Sequence, residues 1–344
     1  MRLRIPYLVI IAVIVAGIAG WTGYWFWLQG RVEQEVAAWV EARQAEGYEI
    51  ADAGRRIGGF PARMQVTVAQ PTIAKPGHWR WQAAGQVVVY LQPWNLTHVI
   101  VNLGPSHQLE WVEGDTVRRA GVTAERALAS GIFSGTGRLE QGALDIARPV
   151  VVDSATGTSS ADRAQLHSRA NHGETEQRPD DSLSLALQID NAALPPAANT
   201  PLGNALALLR INATLPPPLP PPSRRAEALE AWRAAGGVVN LDRFELRWGP
   251  LDADGSGTVA IDRELRPLFA LATELRGFGP TLDAYAEAGL LKPKLARNAK
   301  FALTALAKPD SNGRPTVKLP ISAQDGRLYL GPVGVADLAP IVPR

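Results

Sequence analysis

The sequence predicts a mainly β fold, a long curved antiparallel sheet behind one N-terminal transmembrane helix. Three observations lead there. The stretch Ile5 to Leu28 carries no charged side chain and is long enough to cross a bilayer as a helix. Further on, apolar residues recur at every second position, as in strands with one buried and one wet face. Glycine and aspartate turn signals separate these runs at short spacing, which favours meander connections over parallel crossovers. The expected sheet is taco-like or a partly closed barrel, covered by helices near 223–235 and 281–307.

The apolar stretch is preceded by Arg2 and Arg4, so the positive-inside rule places the N-terminus in the cytoplasm and the bulk of the chain outside. Residues 1–30 then form a cytoplasmic tip and a single-pass signal-anchor. Trp21, Tyr24, Trp25, Phe26 and Trp27 crowd its far end, where amphipathic rings suit the membrane interface. A cleaved signal peptide is the competing reading, with Gly17 and Ala19 before a cut ahead of Gly20. The length of the run and its aromatic continuation favour retention. A buried core helix would have to hide the whole aromatic cluster without a polar face.

Residues 31–47 read as an amphipathic connecting helix, with Val32, Val36, Trp39 and Val40 on one stripe and Gly47 as its stop. Residues 48–344 read as the β-rich domain. Ala62 to Val68 alternates cleanly. Strands are expected at 79–81, 86–91, 98–103, 108–112, 143–152, 165–170, 183–190, 205–215, 238–248, 258–262, 268–275, 317–322 and 327–330. Residues 153–182, rich in Ser, Thr, Asp and Arg, suggest a loose connection. Six prolines between Leu215 and Ser223 predict a stiff extended link, with Ser223 capping a helix that runs to Ala235. Two subdomains could meet near 191–235.

Lys plus Arg (35) nearly balances Asp plus Glu (33), so a net charge of +2 offers no strong field for nucleic acid. With no cysteine, disulfides, thiolate metal sites and cysteine nucleophiles are excluded. Asp252-Ala-Asp-Gly-Ser-Gly-Thr258 imitates half of a calcium loop, but its twelfth position is Arg263 where a bidentate Glu is needed. The alternation around it predicts a hairpin turn at Asp252 to Thr258. Histidines 78, 98, 107, 167 and 172 lack zinc-helix spacing, and no Gly-x-Ser-x-Gly elbow occurs. Ser134-Gly-Thr-Gly137 and Gly255-Ser-Gly257 lack the Lys of a phosphate loop and read as turns. No catalytic, cofactor or metal residue is therefore predicted. Trp79, Trp81, Trp94, Trp111, Trp232 and Trp248 could line a lipid groove or fill the sheet's core.

Several stretches carry a resemblance to a known family: Gly58-Gly-Phe-Pro-Ala-Arg63, Trp79-Arg-Trp81 with Gln92-Pro-Trp94, Trp232 to Gly237, Trp248-Gly-Pro-Leu251 with Gly257 to Asp262, and Gly326 to Gly331. In these the chain resembles the envelope family of Gram-negative bacteria catalogued as domain of unknown function 2125. The resemblance implies a cell-envelope location, here the inner membrane with the main domain in the periplasm, and brings no catalytic residues. The architecture is also similar to AsmA-type envelope proteins, whose sheets can cradle lipids. The expected role is non-catalytic, binding or organising a lipid or another hydrophobic envelope component. A protein-interaction scaffold in the envelope is the alternative, and an enzyme survives only by default.

Overall fold

The computed structural model describes residues 4–172, 181–217 and 225–342. Half of the chain is strand, paired antiparallel, and the sheet is not closed into a barrel. The chain divides into two compact units, Met1–Arg138 and Leu139–Arg344.

The first unit begins with one unbroken helix, α1 (Arg4–Ala45), long and apolar enough to cross a membrane. The predicted anchor and connecting helix are thus continuous. Val32, Val36 and Val40 are half-buried, whereas Trp39, at the edge of that stripe, is exposed. Gly47 ends the helix as predicted. At φ +81° it donates its N–H to Gln44 O (2.9 Å), and Tyr48 N–H reaches Arg43 O (3.1 Å). That 6→1 and 5→2 pair satisfies the last helical carbonyls, and glycine takes the left-handed position without steric cost.

Ten strands follow: β1 (Glu49–Ala51), β2 (Gly54–Gly58), β3 (Met64–Ala69), β4 (Thr72–Lys75), β5 (Trp79–Ala83), β6 (Gln86–Gln92), β7 (Asn95–Asn102), β8 (Ser106–Glu113), β9 (Thr116–Thr123) and β10 (Arg126–Phe133). They are halves of five long strands. One ladder runs β1-β4-β5-β8-β9 and the other β2-β3-β6-β7-β10, so the same meander order appears on both sides of a crease. Hydrogen bonds continue through it, including Gln70 N–H to Gly85 O (2.8 Å), Leu103 N–H to Ala127 O (3.0 Å) and Ala124 N–H to Pro105 O (2.9 Å). Gln70 and Gly104 take positive φ immediately before Pro71 and Pro105, which lack a donor and so interrupt the ladder.

The second unit contains β11 (Leu139–Ala147), β12 (Val150–Asp153), β13 (Gly157–Ser160), β14 (Arg163–Ala170), β15 (Leu183–Ala193), β16 (Ala205–Leu215), α2 (Arg225–Ala234), β17 (Val239–Trp248), β18 (Leu251–Ile261), β19 (Pro267–Arg276), α3 (Phe278–Glu287), α4 (Pro293–Leu306), β20 (Lys308–Pro309), β21 (Pro315–Gln324), β22 (Arg327–Leu330) and β23 (Val333–Asp337). The crease motif returns at Arg148 (φ +48°) before Pro149. Its sheet order is β11-β14-β15-β16-β17-β18-β19-β21-β22-β23, and β15, β16 and β17 pair directly across residues 191–235. Within the stretch 153–182, expected as a loose connection, lie β13 and β14, and residues 173–180 of it lie outside the described residues. Ser223 and most of the proline run lie outside the described residues.

One expectation is overturned. Asp252 to Thr258 is not a turn but the body of β18, paired on both sides with β17 and β19. The reversal comes earlier, at Gly249 (φ +55°) and Pro250. Gly255 and Gly257 mark close approach, because a Cβ at either would run into the Ala272 or Ala270 carbonyl of β19.

Candidate functional site

The aromatic run in the middle of α1 sits in a socket made by two turns of the first unit. Trp21 Nε1–H donates to Pro61 O (3.0 Å), Trp25 Nε1–H to Arg63 O (3.3 Å) and Tyr24 O–H to Pro93 O (2.8 Å). Trp25 is 3% exposed and packs with Leu28 and Met64, flanked by Val32, Ile57 and Leu91. Phe60 lies edge-on to Trp25 at 5.5 Å and stacks on Phe26 at 6.1 Å, while Trp94 approaches Trp21 at 6.3 Å. Three of the four predicted interface residues, Trp21, Tyr24 and Trp25, are therefore joined to the sheet. Trp27 is 63% exposed, as are Phe26, Trp94 and Phe60 to comparable degrees. Phe60 and Trp94 complete this collar and escaped prediction as site residues, although both lie in stretches that carry the family resemblance.

The socket opens onto an aliphatic sheet face. Strand register places Ile57, Val66, Val89, Val101 and Ala129 in one cross-strand row, with Met64, Leu91, Val99 and Gly131 in the next. α1 covers the Ile57 and Met64 end. Val89, Val99 and Val101 stay half-exposed. On the other side of the crease Ile73, Trp81, Leu109 and Ala120 form a row beside Trp79 and Trp111. None of the six domain tryptophans is buried, so they do not fill the core. Trp81 stacks on His107 (5.8 Å), and Trp248 Nε1–H caps Gly203 O (2.7 Å).

In the second unit the separation of faces is sharper. One row reads Ile146, Ala164, Ile189, Leu209, Leu246, Ala253, Leu275, Val317, and its neighbour reads Leu144, Leu166, Leu187, Ile211, Phe244. α3 and α4 cover the β18 to β21 end, burying Phe278, Leu282, Ala296, Ala299 and Leu303 against Ala253, Leu275, Val317 and Leu319. From β11 to β16 the same face is half-exposed, with Leu166 at 39%. Beside α4 a cavity of about 380 Å³ is lined by Leu303, Leu306, Leu319, Leu330, Val333 and Val335. Its size falls within the range of small-molecule sites.

The opposite face carries a row that is polar from end to end, Asp145, Gln165, Gln188, Arg210, Glu245, Asp254, Glu274 and Lys318, beside apolar positions such as Leu208 and Ala186. Glu245 is held by Arg210 (3.1 Å) and Arg243, and Arg276 sits between Asp252 (3.7 Å), Asp254 (3.6 Å), Asp310 (3.3 Å) and Glu274. Hydrogen bonds from the Arg314 N–H, the Asn312 N–H and the Arg314 guanidinium hold the Asp310 carboxyl below the ordinary range. Burial alone would raise Asp262, but the Arg266 N–H and guanidinium and the Glu264 N–H carry it below that range too. Asp252 and Asp254, the core of the calcium-loop imitation, thus face the Arg276 guanidinium of β19, and Asp252 that of Arg314 as well. Two clefts on this side, each of about 630 Å³, have members of these ion pairs in their walls. Among the described residues no group of three or more His, Asp or Glu is placed to hold a metal ion. His172 bonds Glu140 (2.7 Å) and His78 its neighbour Pro76 O (3.0 Å).

No curated protein and no solved structure matches this chain. A family model does match, over residues 25–339, beginning at the docked Trp25 and taking in both sheet units. The chain belongs to the family described as uncharacterized protein conserved in bacteria (DUF2125).

Proposed function

We propose that this protein is a single-pass inner-membrane protein whose periplasmic sheet holds acyl chains of a lipid, or of another hydrophobic envelope component, along its aliphatic face. The observation that carries the reading is the run of half-exposed aliphatic rows. In the first unit such a row starts under the anchoring helix at Met64 and Ile57. Large apolar surface left open on a folded chain marks a binding surface. Here the helix beside it, whose Tyr7 to Ile18 side chains are exposed along their length, points to a bilayer as the source of the occupant. Arg2 and Arg4 support a cytoplasmic N-terminus, and Trp27, Phe26, Phe60 and Trp94 suit the interface. The role is read as non-catalytic, because the carboxylates beside the polar clefts are engaged by Arg276, Arg314 and Lys318.

Native mass spectrometry of the full chain with lipid extraction is the test. Bound lipid is expected, and Leu187→Arg, which puts a charge in the middle of the open rows, should displace it while leaving the fold intact. A protein that carries no lipid, or one whose lipid load ignores Leu187→Arg and Leu209→Arg alike, contradicts the reading.

A further inference from the structure

Helix α4 has two faces, and only one of them serves the fold. Ala296, Ala299 and Leu303 are buried against the sheet. On the opposite stripe, at the i, i+3, i+4, i+7 and i+11 spacing of one helix side, stand Lys294, Arg297, Asn298, Phe301 and Ala305, all exposed. Phe301 is 80% exposed, the most exposed large apolar side chain described, and Leu290 and Leu306 near the two ends reach 66% and 64%. A phenylalanine in that position adds nothing to the core. The charge around it is one-sided. Between Ala288 and Pro309 there are five basic residues and no acidic one, in a chain that is otherwise nearly neutral. Lys300 is paired with Asp283 of α3 (2.5 Å), whereas Lys292, Lys294 and Arg297 have no ion pair among the described residues.

We propose that α4 is a second membrane contact, a peripheral helix that lays Phe301 into the headgroup boundary of an anionic bilayer while its cations meet lipid phosphates. A basic helix with a projecting aromatic ring lies in the interface plane and gains from both apolar burial and attraction to anionic lipid. An acidic protein surface would satisfy the cations but leave Phe301 without an apolar partner. A neutral hydrophobic partner would satisfy Phe301 but strand the cations. The anionic bilayer meets both needs, and α1 already supplies reason for the chain to be beside one. The contact is separate from the aliphatic sheet face and stands or falls without it.

The chain has no cysteine, so a single Ala305→Cys places one fluorophore on the exposed stripe of the full-length protein, with Thr258→Cys on the polar sheet face as control. The labelled protein is reconstituted through α1 into vesicles of phosphatidylcholine, with or without phosphatidylglycerol. Acyl-chain nitroxide lipid is present in the host bilayer in one series and in added vesicles in another. Quenching of the Ala305 label is expected with phosphatidylglycerol in at least one series, and little with phosphatidylcholine alone or at Thr258. Phe301→Ser should abolish it with the melting temperature unchanged. Lys294→Gln and Arg297→Gln should each weaken it about fivefold, the equivalent of ~1 kcal/mol per cation at an anionic surface. Equal quenching at Ala305 and Thr258 in both series would overturn the proposal.

Discussion

At the scale of single residues, one short aromatic run is divided between rings held by the sheet and rings left exposed. A tryptophan at a membrane exit and a tryptophan in a protein socket ask for the same things, an apolar surround for the ring and an acceptor for the N–H. Trp21 to Trp27 could therefore be recognised from sequence as amphipathic, but nothing local says which rings stay exposed and which reach Pro61, Arg63 and Pro93. The partners lie tens of residues away, from Trp21 and Pro61 to Tyr24 and Pro93. The difference is measurable. Trp25→Ala removes a buried ring and should cost about 3 kcal/mol in urea unfolding of the detergent-solubilised full chain. Trp27→Ala, at an exposed ring, should cost no more than about 0.5 kcal/mol in the same measurement.

At the scale of elements, what was readable was the strand with a period of two or an apolar run between turns. β16 and β22 fall within the predicted bounds: Leu209 to Leu215 alternates after the apolar run Ala205 to Leu209, and in Arg327 to Leu330 a short apolar run, Leu328 to Leu330, is bounded by the turns at Gly326 and Gly331. β2, whose Gly54-Arg-Arg-Ile-Gly58 is mostly polar and exposed, gave no such signal. β18 was misread for a different reason. Asp252, Asp254 and two glycines have turn composition, yet here the aspartates are the polar-face half of an alternation whose apolar half includes Ala253 and two glycines. Glycine on the apolar face hides the period, and the arginines that make an acidic strand tolerable come from β19 and the 310–314 turn. That turn titrates. Asp310 accepts from the Arg314 N–H (2.9 Å) and guanidinium (3.0 Å) and from the Asn312 N–H (2.8 Å), and its carboxyl lies below the ordinary value. A depressed folded-state pKa contributes stability that is present in full above the unfolded pKa of about 3.9 and lost as pH falls through the folded value. Thermal unfolding followed from pH 7 downward, in about one-unit steps, should therefore show a drop below about pH 4 that is shallower in Asp310→Asn, which is less stable at neutral pH. Parallel curves for the two proteins would remove Asp310 from the acid response.

At the scale of the whole molecule, the sequence announced a helix long and apolar enough to cross a membrane and a β-rich chain, because both are statements about periodicity and length. It could not announce which alternating residues form a shared surface. That depends on register, and a slip of one residue exchanges the two faces of a strand. In β15, Leu183, Leu185, Leu187 and Ile189 lie on the aliphatic side while Ser184, Gln188 and Asp190 lie on the charged side. The rows Ile146 to Val317 and Asp145 to Lys318 carry the same division from β11 to β21, so the amphipathic character belongs to rows that cross the sheet and not to any one strand. Site-specific photo-crosslinking along β15 in the full-length protein in its native membrane tests that claim most directly. A photoreactive residue placed in turn at Leu185, Ala186, Leu187, Gln188 and Ile189 should capture lipid at 185, 187 and 189 and not at 186 or 188. Lipid adducts of equal yield at all five positions, or none at the odd ones, would contradict the account.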